Sequence, residues 1–332
     1  MSRFRSPLRP APTAGDSTIT RGYSPTTARA AFQRAIADGA VLVNGLPVKA
    51  SRRLRVNDRL SVAITDEPDA GLQPENIPIE IIFEDEALAA INKPADMVTH
   101  PGKSNFHGTL AAAVQFHFDQ VSDVAGLLRP GIVHRLDRDT TGVIVTAKSN
   151  QTHHRLSAQF ERRETIKEYR AIVRGEVDRH SDIIETHLKV HPKAREKMIV
   201  CEPEEGSRHA VTYYEVIERF NGFTYLRLLP KTGRTHQLRV HCLHLGHPIV
   251  ADRLYAGQRE LRLSDLTDRR TLATDAVAAD DTLISRQALH AWRLEVRHPV
   301  TDHPLVLQAD LPADMQRTLD ALREYRGERQ PR

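Results

Sequence analysis

The sequence predicts an α+β protein in two parts: a small helix-plus-sheet unit over residues 23–64 and a larger domain over 79–328. The larger part should carry a mixed, mainly antiparallel sheet with flanking helices. Three observations predict this. Strand-like segments recur at 168–173, 208–217 and 223–229, and in the first of them Tyr169, Ala171 and Val173 alternate with polar residues at the two-residue period of a strand. The gaps at 174–207 and 218–222 hold too little helical periodicity for the crossovers that a parallel sheet would need. A final amphipathic run, with Met315, Leu319, Leu322 and Tyr325 behind Pro312, predicts a closing helix.

Taken in order, residues 1–22 hold four arginines against Asp16 and no apolar period, which predicts a flexible basic arm. Ala28, Ala31, Phe32, Ala35 and Ile36 then follow the spacing of one helical face, with Gly39 as a stop. Val41 to Val43 lead into Asn44-Gly45, a strong hairpin signal, and a further strand is expected at 60–64. The polar face of this unit carries Arg29, Arg34, Lys49, Arg52, Arg53, Arg55 and Arg59 against Asp38 and Asp58, a cation density suited to phosphate contacts. Acidic, proline-rich residues 65–78 read as a linker. Ile79 to Phe83 and Ala87 to Ile91 flank Glu84-Asp85-Glu86 as a hairpin, and Val143 to Val145 form a buried strand. Residues 258–284 are charged with little patterning and read as a surface insertion.

Composition excludes several classes. With 40% hydrophobic and 27% charged residues and no apolar run near 18, the 332-residue chain predicts neither a membrane span nor wholesale disorder. The opening residues lack the apolar centre of a secretory signal, and Cys201 and Cys242 are too few for a disulfide framework, so a cytoplasmic setting is expected. A net charge of +4 is too small to signify nucleic acid; its distribution matters more.

Two polar segments could carry chemistry. In Gly131-Ile-Val-His134-Arg135-Leu136-Asp137-Arg138-Asp139-Thr140-Thr141-Gly142, a carboxylate between two arginines predicts a nucleophile rather than a proton donor; the alternative is a salt-bridged turn. In Lys231 to His241, Thr235 is expected to cap a helix running to Gly246. His236 and Arg239 share one face of it, directed either into a cleft or into solvent.

Taken together, HRLDRDTTG at 134–142, KEYRAIVRG at 167–175, TGRTHQLRVHCLHLGHPIVAD at 232–252, RQALHAW at 286–292 and DEALAAINKPADMVTHPG at 85–102 resemble the RluA-type RNA pseudouridine synthases. The smaller unit, through its helix, its GAVLVNG turn and its VNDRLSV strand, resembles the S4 RNA-binding domain. The resemblance implies isomerisation of uridine to pseudouridine in structured RNA, with Asp137 as nucleophile. It leaves two routes open, a sugar adduct or action after glycosidic cleavage. It implies that Arg135 helps to extrude the target base and that Tyr169 stacks on it. Arg239 is the expected partner of the catalytic carboxylate, with Arg234 as the competitor. Thr141 and Ala251 stand where the family usually has Ser and Gly. No metal and no cofactor are expected, because the reaction adds and removes no group. RNA is the expected partner, large-subunit ribosomal RNA first and transfer RNA second, acted on by a monomer.

Rival readings carry little weight. Asp139-Thr140-Thr141-Gly142 has one threonine too many for an aspartic-protease turn. His236, His241, Cys242, His244 and His247 point around a helix rather than at one metal. A catalytically inactive RNA-binding or ribosome-assembly factor is the alternative from another class, and the presence of Asp137, Arg135, Tyr169 and Arg239 together argues against it.

Overall fold

The computed structural model describes residue 36 and residues 39–62, 72–102, 106–267 and 281–327. The chain divides at Ala70 and Gly71 into two compact units. In the first unit, β1 (Val41–Val43) is the central strand, antiparallel to β2 (Leu46–Pro47) and β3 (Leu60–Val62). The two-residue turn forms because Asn44 and Gly45 accept left-handed backbone at φ 54° and 81°. The Asn44 side chain then donates to Asp58 at 2.8 Å and accepts from the Arg59 amide at 2.8 Å, tying the hairpin tip to the next turn. Most of the helix expected before Gly39 lies outside the described residues; Gly39, at φ 72°, donates to the Ile36 carbonyl as a helix-ending glycine would.

The second unit is built on a ten-stranded sheet. Its strands are β4 (Glu80–Glu84), β5 (Leu88–Lys93), β6 (Thr141–Ala147), β7 (Ile166–Arg174), β8 (Ser181–Val190), β9 (Met198–Cys201), β10 (Arg208–Phe220), β11 (Phe223–Pro230), β14 (Leu289–Arg297) and β15 (Pro304–Gln308). Their spatial order is β4-β5-β6-β14-β7-β11-β10-β8-β9, with β15 also on β14. The pairing of β14 with β6 is parallel and every other strand pair of this sheet is antiparallel, so the mixed, mainly antiparallel expectation holds. The parallel contact needs a glycine. Gly142 sits at φ 112°, and a Cβ there would lie 2.2 Å from the Ala291 carbonyl oxygen. Among the described residues, four helices, α1 (Leu110–His117), α2 (Asn150–Arg162), α3 (Gln237–His244) and α4 (Ala313–Arg326), accompany the sheet; none of them is long and apolar enough to cross a membrane.

The 174–207 gap holds no crossover helix, as expected, but β8 and β9, whose alternation is blurred because Ile183 faces solvent beside buried Ile184. Other expectations are corrected. Helix α1 was not legible by period because Leu110 to Val114 are all buried, which removes the polar face that a helical pattern needs. The segment 258–284 is not wholly a surface insertion: β12 (Leu261–Arg262) pairs with β13 (Thr282–Ile284), and Leu261, Leu266 and Ile284 join the core. Part of the expected linker is likewise packed, with Leu72 buried against α1 residues and the Glu75 amide bonded to the Ala112 carbonyl.

Two core clusters meet at Tyr169. One is formed around β7, β10, β11, α3 and α4, and the other by β5, β6 and α1. Two fully buried histidines brace the sheet: His241 between the Thr186 and Thr212 hydroxyls at 3.0 and 2.9 Å, and His290 between the Thr141 hydroxyl and the Ala309 carbonyl at 2.8 and 3.1 Å. Burial pushes both down to about 4. The unfolded chain, at an ordinary 6.5, therefore binds more protons as pH falls from 6.5 towards 4, and stability is lost across that window. The loss is about 1.4 kcal/mol per pH unit for each histidine at most. Urea unfolding midpoints should drop between pH 7.5 and pH 5; equal midpoints would mean that neither ring stays neutral in the fold.

Candidate active site

The two core clusters leave a cleft of about 540 Å³ between them, lined by the 133–137 loop, β7, the 230–236 loop and the start of α3. The loop that carries Asp137 is pinned from several sides. His134 accepts the Val145 amide on Nε2 at 3.0 Å and stacks on Phe160 with centroids 4.6 Å apart, and burial pushes its pKa down to about 3. Thr99 Oγ1 donates to the Leu136 carbonyl at 2.9 Å. Lys93, fully buried, donates to the carbonyls of Pro94, Met97 and Arg138 at 2.7, 2.8 and 2.8 Å; burial outweighs nearby Asp139 and Asp137 and pulls it to about 7. On the other flank, Arg286 reaches the Asp139 carbonyl at 3.1 Å while paired with Asp314 at 2.7 Å. Asp137 is thereby presented to the cleft with its side chain 17% exposed.

Its ionic partner comes from far along the chain. Arg239 Nη1 lies 3.1 Å from Asp137 Oδ2, and the same guanidinium grips Asp252 through Nε at 2.6 Å and Nη2 at 2.8 Å. Burial works against the charge on Arg239, but Asp252 and then Asp137 outweigh it and hold the guanidinium above its ordinary value. The Tyr255 ring covers this guanidinium at 5.1 Å, and the Tyr255 hydroxyl accepts the Met198 amide at 2.8 Å and meets His236 Nδ1 at 2.9 Å. His236 Nε2 then stands 3.8 Å from Asp137. Burial, the largest influence on His236, lowers its pKa; Asp137 opposes this and Arg239 reinforces it.

The residues expected from sequence are placed as follows. Tyr169 lines the cleft from β7, and burial together with the Asp137 charge raises its hydroxyl pKa. Arg135 is exposed on the lining. Arg234 also lines the cleft but donates to the His209 carbonyl at 3.0 Å, and Asp137 pairs with Arg239 instead. Of the arginines beside Asp137 in sequence, Arg138 pairs with Asp96 at 3.1 Å. Lys49, Arg52, Arg53 and Arg55 are exposed on the first unit, whereas Arg29 and Arg34 lie outside the described residues.

Thr235 is not the cap of α3. His236 occupies that position in left-handed backbone at φ 54°, without a side-chain cap bond, because its ring is committed to Tyr255 and the cleft. Asp252 and Tyr255 were missed as site residues; the signal was present in the polar end of GHPIVAD, but nothing local joins it to Asp137. The histidines of this stretch diverge: His236 faces the cleft, His241 is buried between threonines, His244 is exposed and His247 meets the Arg174 carbonyl at 2.8 Å. A braced carboxylate in a cleft that an aromatic ring and several cations also line suits nucleophilic attack on a flat, anion-bearing substrate.

Comparisons with known proteins identify the family. The RNA pseudouridylate synthase family model matches residues 87–244, and the S4 domain model matches residues 28–60. A protein of Chlorobaculum parvum named an uncharacterized RNA pseudouridine synthase is 40% identical over 331 residues, covering 97% of this chain and 96% of the relative. The ribosomal large subunit pseudouridine synthase D of Escherichia coli O157:H7 is 36% identical over 300 residues, covering 90% of this chain and 87% of that one. Among solved structures, human RNA pseudouridylate synthase domain containing 4 matches with a TM-score of 0.55 and 27% identity, over 74% of this chain and 93% of its own.

Proposed function

Because the chain belongs to the RNA pseudouridine synthase family and carries an S4 domain ahead of the catalytic fold, we propose that it isomerises uridines in large-subunit ribosomal RNA with Asp137 as the nucleophile. The observation that carries the catalytic assignment is the clamp on Asp137: one carboxylate at the cleft, held by Arg239, which is itself held by fully buried Asp252. The reaction breaks the C1′–N1 bond, turns the uracil in the cleft and joins C1′ to C5; N1 gains a proton, C5 loses one, and the atoms balance. Asp137 supports the electron-poor C1′ as the glycosidic bond opens. The Arg239 bridge keeps it oriented without consuming its free oxygen lone pairs.

Exposed Arg135 fills the gap left in the stack when the uridine leaves it, and Tyr169 stacks on the extruded uracil. The exposed cations of the first unit, Lys49, Arg52, Arg53 and Arg55, together with Arg29 and Arg34, supply phosphate contacts that do not depend on base sequence. Replacing Tyr169 by Ala removes the stacking platform. Its expected cost is about 1–3 kcal/mol, a fall of roughly 5- to 150-fold in kcat/KM, read by single-turnover assay; an unchanged value would remove Tyr169 from the base site.

The ribosomal assignment rests on the naming of relatives such as that of Escherichia coli O157:H7. It is tested by mapping pseudouridine at single positions after incubation with unmodified ribosomal and transfer RNA. New pseudouridines confined to large-subunit ribosomal RNA are expected. Conversion confined to transfer RNA would replace the substrate, and none on either RNA would favour a binding factor.

A further inference from the structure

The mouth of the cleft carries a second group of residues that the chemistry at Asp137 does not use. Arg163 ends α2 in left-handed backbone at φ 61°, Lys167 lies in β7, and Arg234 precedes α3; all three line the cleft. Among the described residues, none has a carboxylate within 4 Å. Glu161, on the same rim, is paired with none of them. Burial first, and then repulsion, lowers the pKa of Lys167 and of Arg234: Arg163 and Arg234 act on Lys167, while Arg163 and Arg208 act on Arg234. A lysine so placed without an acid partner is a standing cost to the fold, which an anionic ligand would relieve.

We propose that Arg163, Lys167 and Arg234 form a cradle for one backbone phosphodiester of the RNA, next to the nucleotide being isomerised. This rests on the RNA pseudouridine synthase assignment and deepens it. The three cations come from separate elements and line one cleft, near enough for Arg163 and Arg234 both to act on Lys167. Lys167 and Tyr169 are two residues apart in one strand, hence on one face and about 7 Å apart. A base on Tyr169 therefore brings its own backbone to Lys167. The Arg234 guanidinium, fixed by the His209 carbonyl at 3.0 Å, keeps its remaining donors for the ligand. Gly233 leaves the approach open: a Cβ added there would stand 3.8 Å from Lys167 Nζ.

The test uses the full chain and a synthetic stem-loop spanning a uridine that the wild-type protein converts. Binding of the wild type, Lys167→Gln and Arg163→Gln is measured against salt, with the phosphates flanking the uridine replaced singly by uncharged methylphosphonate. Each variant should bind about tenfold more weakly at physiological salt, and its slope of log affinity against log salt should be shallower by about one. One methylphosphonate should weaken the wild type by a similar factor and cost Lys167→Gln almost nothing further. Wild-type slopes in both variants, or a methylphosphonate penalty equal in wild type and Lys167→Gln, would overturn the cradle. A site for free phosphate would show as no methylphosphonate penalty in any protein, which also overturns it. Pseudouridine formation by the wild type on the same stem-loop is scored separately, so loss of the cradle and loss of the functional assignment remain distinguishable.

Discussion

Replacing Asp137 by Asn is expected to lower pseudouridine formation by roughly 10⁴-fold or more while leaving RNA affinity within about threefold. Asn keeps the size and the hydrogen-bond reach of the side chain but removes the anion to which the proposal assigns attack on, or support of, C1′. The fold should tolerate the change, because Arg239 keeps both of its bonds to Asp252 and is not left unpaired. Thermal melting should therefore move by only a few degrees. The measurement is position-resolved pseudouridine detection on one RNA treated with each protein at equal occupancy. Turnover by the Asn variant within about tenfold of wild type would sink Asp137 as the nucleophile and shift attention to His236, 3.8 Å away.

A different failure is expected at Arg239. Arg239→Met leaves the Asp252 carboxylate, 0% exposed, with the Leu254 and Tyr255 amides at 3.0 and 3.2 Å and no cation. An uncompensated buried charge costs about 3–5 kcal/mol. For a domain of this size that is a drop of roughly 10 °C in Tm. The Tyr255 ring also loses the guanidinium that it covers. Because such a variant loses activity through stability alone, Arg239→Lys separates the two roles. Lysine keeps the charge near Asp252 but cannot grip it in a fork and reach Asp137 at the same time. Melting should then fall by less than in the Met variant, while kcat falls about 100-fold as Asp137 loses its orientation. Full turnover in a folded Lys variant would reduce Arg239 to a structural support.

How far the molecule is legible in its sequence depends on whether the cause of each feature is local. The β4–β5 hairpin, the buried run of β6 and helix α4 follow from short patterns: apolar residues around an acidic turn, an unbroken apolar strand and a proline before a heptad-like stripe. Strand β14 begins inside the RQALHAW motif and runs on to Arg297, and the sequence marks it only as a motif because its partners β6, β7 and β15 come from three separate parts of the chain. Helix α1 hid for the opposite reason, as a run without polarity carries no period to detect. The expected Thr235 cap followed the ordinary helix-start rule, and it failed where a site residue is held in left-handed backbone by a contact with Tyr255, 19 residues further on.

The same division applies to the site. Sequence by itself determined that the loop at 131–142 and the stretch at 231–241 concentrate charge beside apolar elements, and their resemblance to a family assigned a role to Asp137. Only the tertiary structure decided which cation meets it. Of the two arginines near Asp137 in sequence, Arg138 pairs with Asp96 and Arg135 is exposed on the cleft lining, while Arg239 arrives across 102 residues because α3 packs its buried face against the sheet and aims the guanidinium between two carboxylates. Coulomb attraction and hydrogen bonding depend on separation in space, which spacing along the chain does not encode beyond a turn of helix or a step of strand. The bracing of Asp137 by Asp252 and Tyr255, and the cations gathered at the mouth of the cleft, exist only once distant segments have been brought together by a common core.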